Sequence, residues 1–208
     1  HIFVVPAIGG TPRQITSGDY NHSSVEWTPD GGSILFSGLR ADDAEYQWRE
    51  SHIYAVDVRT NQIRQLTDHR GPDAGPVVSP DGTKIAYVGY DWTEDTFVER
   101  KIYVADIDGS NAHLASGDWD RSPSNITWNT SGSGIYFTAS DSGLRNLHFL
   151  PLEGSGAGTV RPVTSGTHLL TTTDIHPSGT AVGILTSFHK PADVVRFDVD
   201  SASDIHQL

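Results

Sequence analysis

The apolar positions of this chain fall in short runs, each entered through a glycine-containing turn. The runs are "SILFSG" from Ser33, "KIAYVGY" from Lys84, "GIYFTA" from Gly134 and "AVGILTS" from Ala181. Before them stand "TPDGG", "SPDGT", "NTSGS" and "HPSGT", whose glycines Gly31, Gly82, Gly132 and Gly179 are 51, 50 and 47 residues apart. Proline fixes φ, Asp or Ser bonds back to the backbone, and Gly accepts positive φ, so each is a turn that delivers a strand. A short strand precedes each turn ("VEWT", "PVVS", "ITWN", "TDIH"), with an expected inward column of Trp27, Val78, Trp128 and Ile175.

A second pattern runs at the same period. "HIYAVDV" from His52 returns as "KIYVADI" from Lys101, "NLHFLPL" from Asn146 and "DVVRFDV" from Asp193, and the chain opens on another copy, "HIFVVPA". Its leading apolar column is Ile2, Ile53, Ile102, Leu147 and Val194, spaced by 51, 49, 45 and 47 residues. Each copy is followed by a short element: "RQIT", "RQLT", "AHLA", "RPVT" or "IHQL". The unit is therefore four strands, A to D, and the repeat predicts tandem four-stranded antiparallel sheets. Strands B and C are apolar at nearly every position, whereas a sheet with one wet face would alternate.

Sheets covered on both faces and repeated in tandem predict an all-β chain with a β-propeller fold. A β-sandwich is the rival, but nothing in it requires the same turn every fifty or so residues. The phase divides the chain into a C–D half blade at 1–18, blades at 19–68, 69–117 and 118–166, and a last blade at 167–208. Four blades and a half predict a segment of a larger ring of seven or eight blades. The other reading is a small ring with an added N-terminal hairpin. A chain of 208 residues with no methionine, opening inside a strand, also reads as part of a longer polypeptide. An open arc would expose apolar blade faces, which predicts self-association.

Composition narrows the function. Twenty-one glycines and 11 prolines suit a turn-rich β fold. The net charge of −12 disfavours nucleic acid, and no apolar run reaches the length of a membrane span. There is no cysteine, so thiolate chemistry and cysteine-based zinc sites are excluded, while cytoplasm and periplasm both remain open. The ten histidines form neither H-E-x-x-H nor H-x-H spacing; His52, His148 and His176 each occupy a strand column of the repeat. The Asp-Gly pairs lack the remaining ligands of a calcium loop. No metal and no cofactor is expected.

The signal for a site lies in the B-to-C connections. Ser37–Ser51 and Gly89–Arg100 are far longer than a hairpin needs, and loops of that length are commonly functional. They combine Tyr46, Trp48, Trp92 and Phe97 with Arg49, Glu50, Glu94, Asp95 and Arg100. Successive B–C loops emerge on one face of a ring, which makes the two candidate neighbours. The substrate-binding set read from them is Tyr46, Trp48, Arg49, Glu50, Trp92 and Glu94. Aromatics can hold an apolar side chain while a carboxylate pairs with an α-amino group, which suits a peptide terminus. The alternative is a surface excursion packed on its own blade.

"SPDGTKIAYVG", the "IYAVD" and "IYVAD" strands and "RQLT" resemble the repeats of TolB-like propellers and the N-terminal propeller of the prolyl oligopeptidase family. The segment Leu66–Asp91, "DWDRSPSNITW" and the final repeat from His176 are similar to the acylaminoacyl-peptidase and dipeptidyl-peptidase branch. The resemblance covers essentially the whole chain. It implies a non-catalytic propeller that gates and positions short peptides for an α/β-hydrolase domain, expected beyond Leu208, with further blades before His1. The G-x-S-x-G elbow of that domain is absent here, so no catalytic residue is assigned. The alternative is a TolB-like protein-binding propeller of the bacterial envelope. A lyase or glycosidase working at the ring axis ranks last, because the A strands offer only Glu26, Asp174 and His176.

Overall fold

A computed structural model describes residues 1–201 and 205–208, with Thr173 by its backbone alone. Among the described residues, apart from one 3₁₀ turn at Ala44–Tyr46, the regular elements are all strands. The chain divides into two compact units, His1–Val98 with Tyr103–His113, and Glu99–Ile102 with Leu114–Leu208.

In the first unit β1 (Phe3–Val4) and β2 (Arg13–Gln14) form a two-stranded antiparallel pair. β3 (His22–Trp27), β4 (Ser33–Gly38), β5 (His52–Asp57) and β6 (Ile63–Gln65) form a four-stranded sheet in sequence order. The next sheet, also in sequence order, holds β7 (Asp73–Val78), β8 (Lys84–Gly89), β9 (Lys101–Asp106) and β10 (His113–Leu114). The continuous apolarity of strands B and C has a direct explanation here. Ile34, Phe36, Tyr54 and Val56 point to one face of the β3–β6 sheet and pack with Ile2 and Ile15. Leu35, Ile53 and Ala55 point to the other and pack with Ile85, Tyr87 and Ala105. Each large side chain taken wholly out of water this way contributes about 1.5–3 kcal/mol.

In the second unit β11 (Pro123–Trp128), β12 (Gly134–Asp141), β13 (Leu144–Pro151) and β14 (Arg161–Pro162) are followed by β15 (Leu169–Ile175), β16 (Thr180–Ser187), β17 (Lys190–Asp198) and β18 (His206–Gln207). These two strand quartets join into one eight-stranded network through a parallel contact, Arg145 opposite Leu169. The reason is strand length. A two-residue turn, Ser142–Gly143, joins β12 to β13, so the eight-residue β13 reaches the next A strand and the Arg145 amide donates to the His168 carbonyl at 2.9 Å. The same contact occurs in the first unit as an isolated parallel bridge, Ser51 with Pro72. Tyr136, Leu147, Phe149, Leu170, Ala181, Val195 and Phe197 form the core of the second unit.

The repeated turns carry the hydrogen bonds that their composition implies. Thr28 Oγ1, Ser79 Oγ and Asn129 Oδ1 accept from the amides of Ser33, Lys84 and Gly134 at 3.0, 2.9 and 3.0 Å. Gly31, Gly82, Gly132 and Gly179 have φ between +68° and +88°. His176 takes part in this turn chemistry, its Nδ1 accepting from the Ser178 amide at 3.1 Å.

Three expectations of detail are corrected. Trp27 is 47% exposed rather than inward, because it shares a face with Ile34 that the short β1–β2 pair does not fully cover. Val194 is 49% exposed and Ile184 45%, so in the last sheet B and C alternate instead of being covered on both faces. The third and fifth D elements sit one residue later than "AHLA" and "IHQL" suggest. The Ala115 and Leu208 amides donate to Ile102 and Val194, as Leu66 does to Ile53. The turn between the last two strands, at 202–204, lies outside the described residues.

Candidate functional site

The first long connection is not extended chain. Successive backbone bonds, Ala44 to Ala41, Tyr46 to Asp43, Gln47 to Ala44 and Glu50 to Gln47, wind it into tight turns. Gln47 Nε2 adds a bond to Asp43 Oδ1 at 2.7 Å. This winding leaves Tyr46 and Trp48 each 78% exposed. The second connection is pinned locally by Thr93, whose hydroxyl donates to Asp95 Oδ2 at 2.9 Å.

Arg49 ties the two together. Its Nη1 donates to the carbonyl of Asp95 at 2.7 Å and approaches that of Thr93 at 3.4 Å, while its guanidinium lies 4.5 Å from the Trp48 ring centre. A third segment, before β7, completes the arrangement. The Trp92 amide donates to the Arg70 carbonyl at 2.9 Å, and the Arg70 guanidinium lies 3.8 Å over the Trp92 ring. Gly71 is required between them: at φ +140° a Cβ there would come within 2.1 Å of the Tyr90 carbonyl oxygen. The Asp73 amide and the Ser51 hydroxyl, each bonded at 2.8 Å across the Ser51–Pro72 bridge, tie this segment to the end of the first loop.

The result is an open cleft of about 700 Å³ in the first unit. All of Tyr46, Trp48, Arg49, Glu50, Trp92 and Glu94 line it, together with Gln47, Arg70 and Thr93, which sequence reading did not select. Arg70 lies outside the long loops, so loop length could not point to it. The cleft offers two guanidinium-on-indole stacks and two carboxylates. Glu50 Oε1 also stands 3.4 Å from His52 Nε2, whose imidazole is held below its ordinary pKa by burial despite that carboxylate. Phe97 is exposed away from the cleft, Asp95 contributes its backbone carbonyl to Arg49, and Arg100 belongs to the second unit. Glu26 is half-buried, and burial raises its pKa. Such a surface can hold a zwitterionic or mixed apolar and charged ligand. Among the described residues, no three His, Asp or Glu side chains converge in a metal-holding group.

Sheets of this order with a four-strand repeat define a β-propeller chain, and solved structures place it there. TolB from Acinetobacter baumannii superposes with a TM-score of 0.74 at 18% identity, over 99% of this chain and 48% of that one. A puromycin hydrolase superposes with a TM-score of 0.72 at 15% identity, over 96% of this chain and 33% of its own. The sequence relationship is more specific. The family profile described as the dipeptidyl peptidase IV (DPP IV) N-terminal region matches residues 1–86. Dipeptidyl-peptidase 5 of Arthroderma otae is 29% identical over 160 residues, 71% of this chain. By sequence the chain is similar to dipeptidyl-peptidases, through the N-terminal-region profile over residues 1–86 and the 29% identity, while the superpositions give the β-propeller fold. The chain spans about a fifth of the length of the curated relatives it matches, 20% of the Arthroderma otae protein.

Proposed function

We propose that this chain is the non-catalytic propeller portion of a prolyl oligopeptidase-family serine peptidase. It gates and positions short peptides for an α/β-hydrolase domain of the same polypeptide. Blades at 19–68, 69–117, 118–166 and 167–208, with a half blade at 1–18, are the divisions this reading assigns. The observation that carries it is the cleft. Two long loops and the Arg70 segment of one unit converge there, presenting Trp48, Trp92, Glu50 and Glu94 together. Indole rings take up an apolar side chain and a carboxylate takes up an α-ammonium group, so the chemistry suits a peptide with a free amino terminus.

Two measurements test it. The isolated chain is expected not to hydrolyse aminoacyl chromogenic substrates; turnover by pure protein that serine-directed inhibitors abolish would refute the reading. In the intact protein, Glu50→Gln or Trp92→Ala is expected to raise KM for short peptides about tenfold, the equivalent of one lost contact of about 1.4 kcal/mol. The second reading, a TolB-like docking propeller, is favoured by the superposition on TolB over 99% of the chain. Under it, the same substitutions leave peptide KM unchanged.

A further inference from the structure

Next to Arg70 and Trp92 in the chain stands a cluster of titratable groups that the peptide reading does not use. Asp73 opens β7 with its side chain wholly buried, and neither carboxylate oxygen has a hydrogen bond of full geometry. It stands opposite Gly89, where a Cβ would come within 2.4 Å of Oδ1, so the sheet admits this carboxylate only across a glycine. The imidazole of His69 stands beside that carboxylate. Nδ1 is 3.3 Å from Asp73 Oδ2 and Nε2 is 3.9 Å from Asp91 Oδ1. The ring stacks on Tyr103 at 5.8 Å, which in turn stacks on Tyr87 at 5.6 Å.

The sequence places these groups one residue from the cleft wall. His69 precedes Arg70, Asp91 precedes Trp92, and the Trp92 amide is bonded to the Arg70 carbonyl. One imidazole, 3.3 Å from Asp73 and 3.9 Å from Asp91, therefore links both segments of the wall to a buried anchor. The repeat does not demand a charge at this point: the corresponding pair in the second unit is Pro123 opposite Ala139. A buried carboxylate short of hydrogen bonds is costly and would not be expected for stability alone.

We propose that His69 is a positioning residue: held between Asp73 and Asp91, it fixes the Arg70–Trp92 wall of the cleft, so that the cleft's geometry follows pH. The neighbouring charges are Asp68 and Arg70 on the same segment, the His52–Glu50 pair at the start of β5, and the Tyr87 and Tyr103 hydroxyls on β8 and β9. Burial lifts the Asp73 carboxyl to about 6, against the pull of the Thr67 hydroxyl and His69 and with the help of Asp91. On the acid side of that value Asp73 takes up a proton and the His69 attraction is lost. The wall then loosens at its root.

The test reads Trp92 in the intact protein, as the pH-dependent emission of the parent minus that of Trp92→Phe, from about pH 4.5 to about 8.5. The difference signal should titrate with a midpoint of about 6. Acrylamide quenching of Trp92 should rise roughly twofold on the acid side, as the ring is released. Both changes should vanish in His69→Gln and in Asp73→Asn. Asp73→Asn preserves the side-chain shape and carries the test if His69→Gln does not fold. A flat difference signal in the parent, or a titration that survives in folded Asp73→Asn, overturns the proposal. No peptide enters this measurement, so its failure is distinct from failure of the peptide reading, on which only the consequence for peptide capture rests.

Discussion

At Asp73 a carboxyl group sits in a sheet interior with a raised pKa of about 6, and burial is the main cause. The sign of its effect on stability follows from proton counting. Between the unfolded value, near 3.9, and the folded one, the native state binds more protons than the unfolded state, so stability falls as pH rises through that window. Denaturant melts of the parent should therefore show a decline from about pH 4 to about 6 that is missing in Asp73→Asn. A parent whose stability rises across that range would contradict the assignment. None of this was legible in the sequence, where Asp73 is one aspartate among several in "TDHRGPDAG". Arg70 was missed for a similar reason: its importance comes from the indole beneath it, supplied by a residue 22 positions later.

Among the elements, the strand-C and strand-D pair is closed by one repeated device. The hydroxyls of Thr16, Thr67, Ser116 and Thr164 accept the backbone amides of Ile2, Ile53, Ile102 and Leu147 at 2.8–3.1 Å, and all four hydroxyl residues are buried. This is the physical content of the "T" in "RQIT" and "RQLT". Thr164→Val keeps the volume but leaves the Leu147 amide buried and unpartnered, which should cost about 1–3 kcal/mol. Thr164→Ser should restore most of it, and the midpoint of urea unfolding measures both. The third copy was read one residue early because its hydroxyl belongs to Ser116, just past the quartet "AHLA". The A strands hide another device. Each carries a register shift, between Ser23 and Glu26, Ala74 and Val77, Ser124 and Thr127, and Thr172 and Asp174. In the first three, Ser24, Gly75 and Asn125 take positive φ. A bulge built from three different residue types leaves no motif, since its geometry is set by pairing to the neighbouring strand.

For the molecule as a whole, charge and apolar surface act in opposite directions. A net charge of −12 favours dispersal. Against it, the second unit exposes Ile184 and Val194 as a cross-strand pair on β16 and β17. We expect this chain to self-associate in sedimentation experiments, and Ile184→Lys to shift it toward monomer. The same substitution should change stability by no more than about 0.5 kcal/mol, because the site is already exposed. A parent that stays monomeric at high concentration would show that this face is not sticky. Fold class was legible at this scale because the repeat is written in residues with fixed local meaning, such as the Pro-Asp-Gly turns. The joining of the last two quartets was not, since it depends on a two-residue turn extending β13 to meet β15.

By itself the sequence determined the strands, their order, the turns that separate them and the two loops long enough to build a site. Those features depend on backbone preferences and on periodic burial, which act over a few residues. Only the tertiary structure decided which side chains meet: Arg49 with the Thr93–Asp95 segment, Arg70 with Trp92, and His69 with Asp73. Such meetings depend on through-space distances of a few ångströms between residues remote in the chain, and no local pattern encodes those distances.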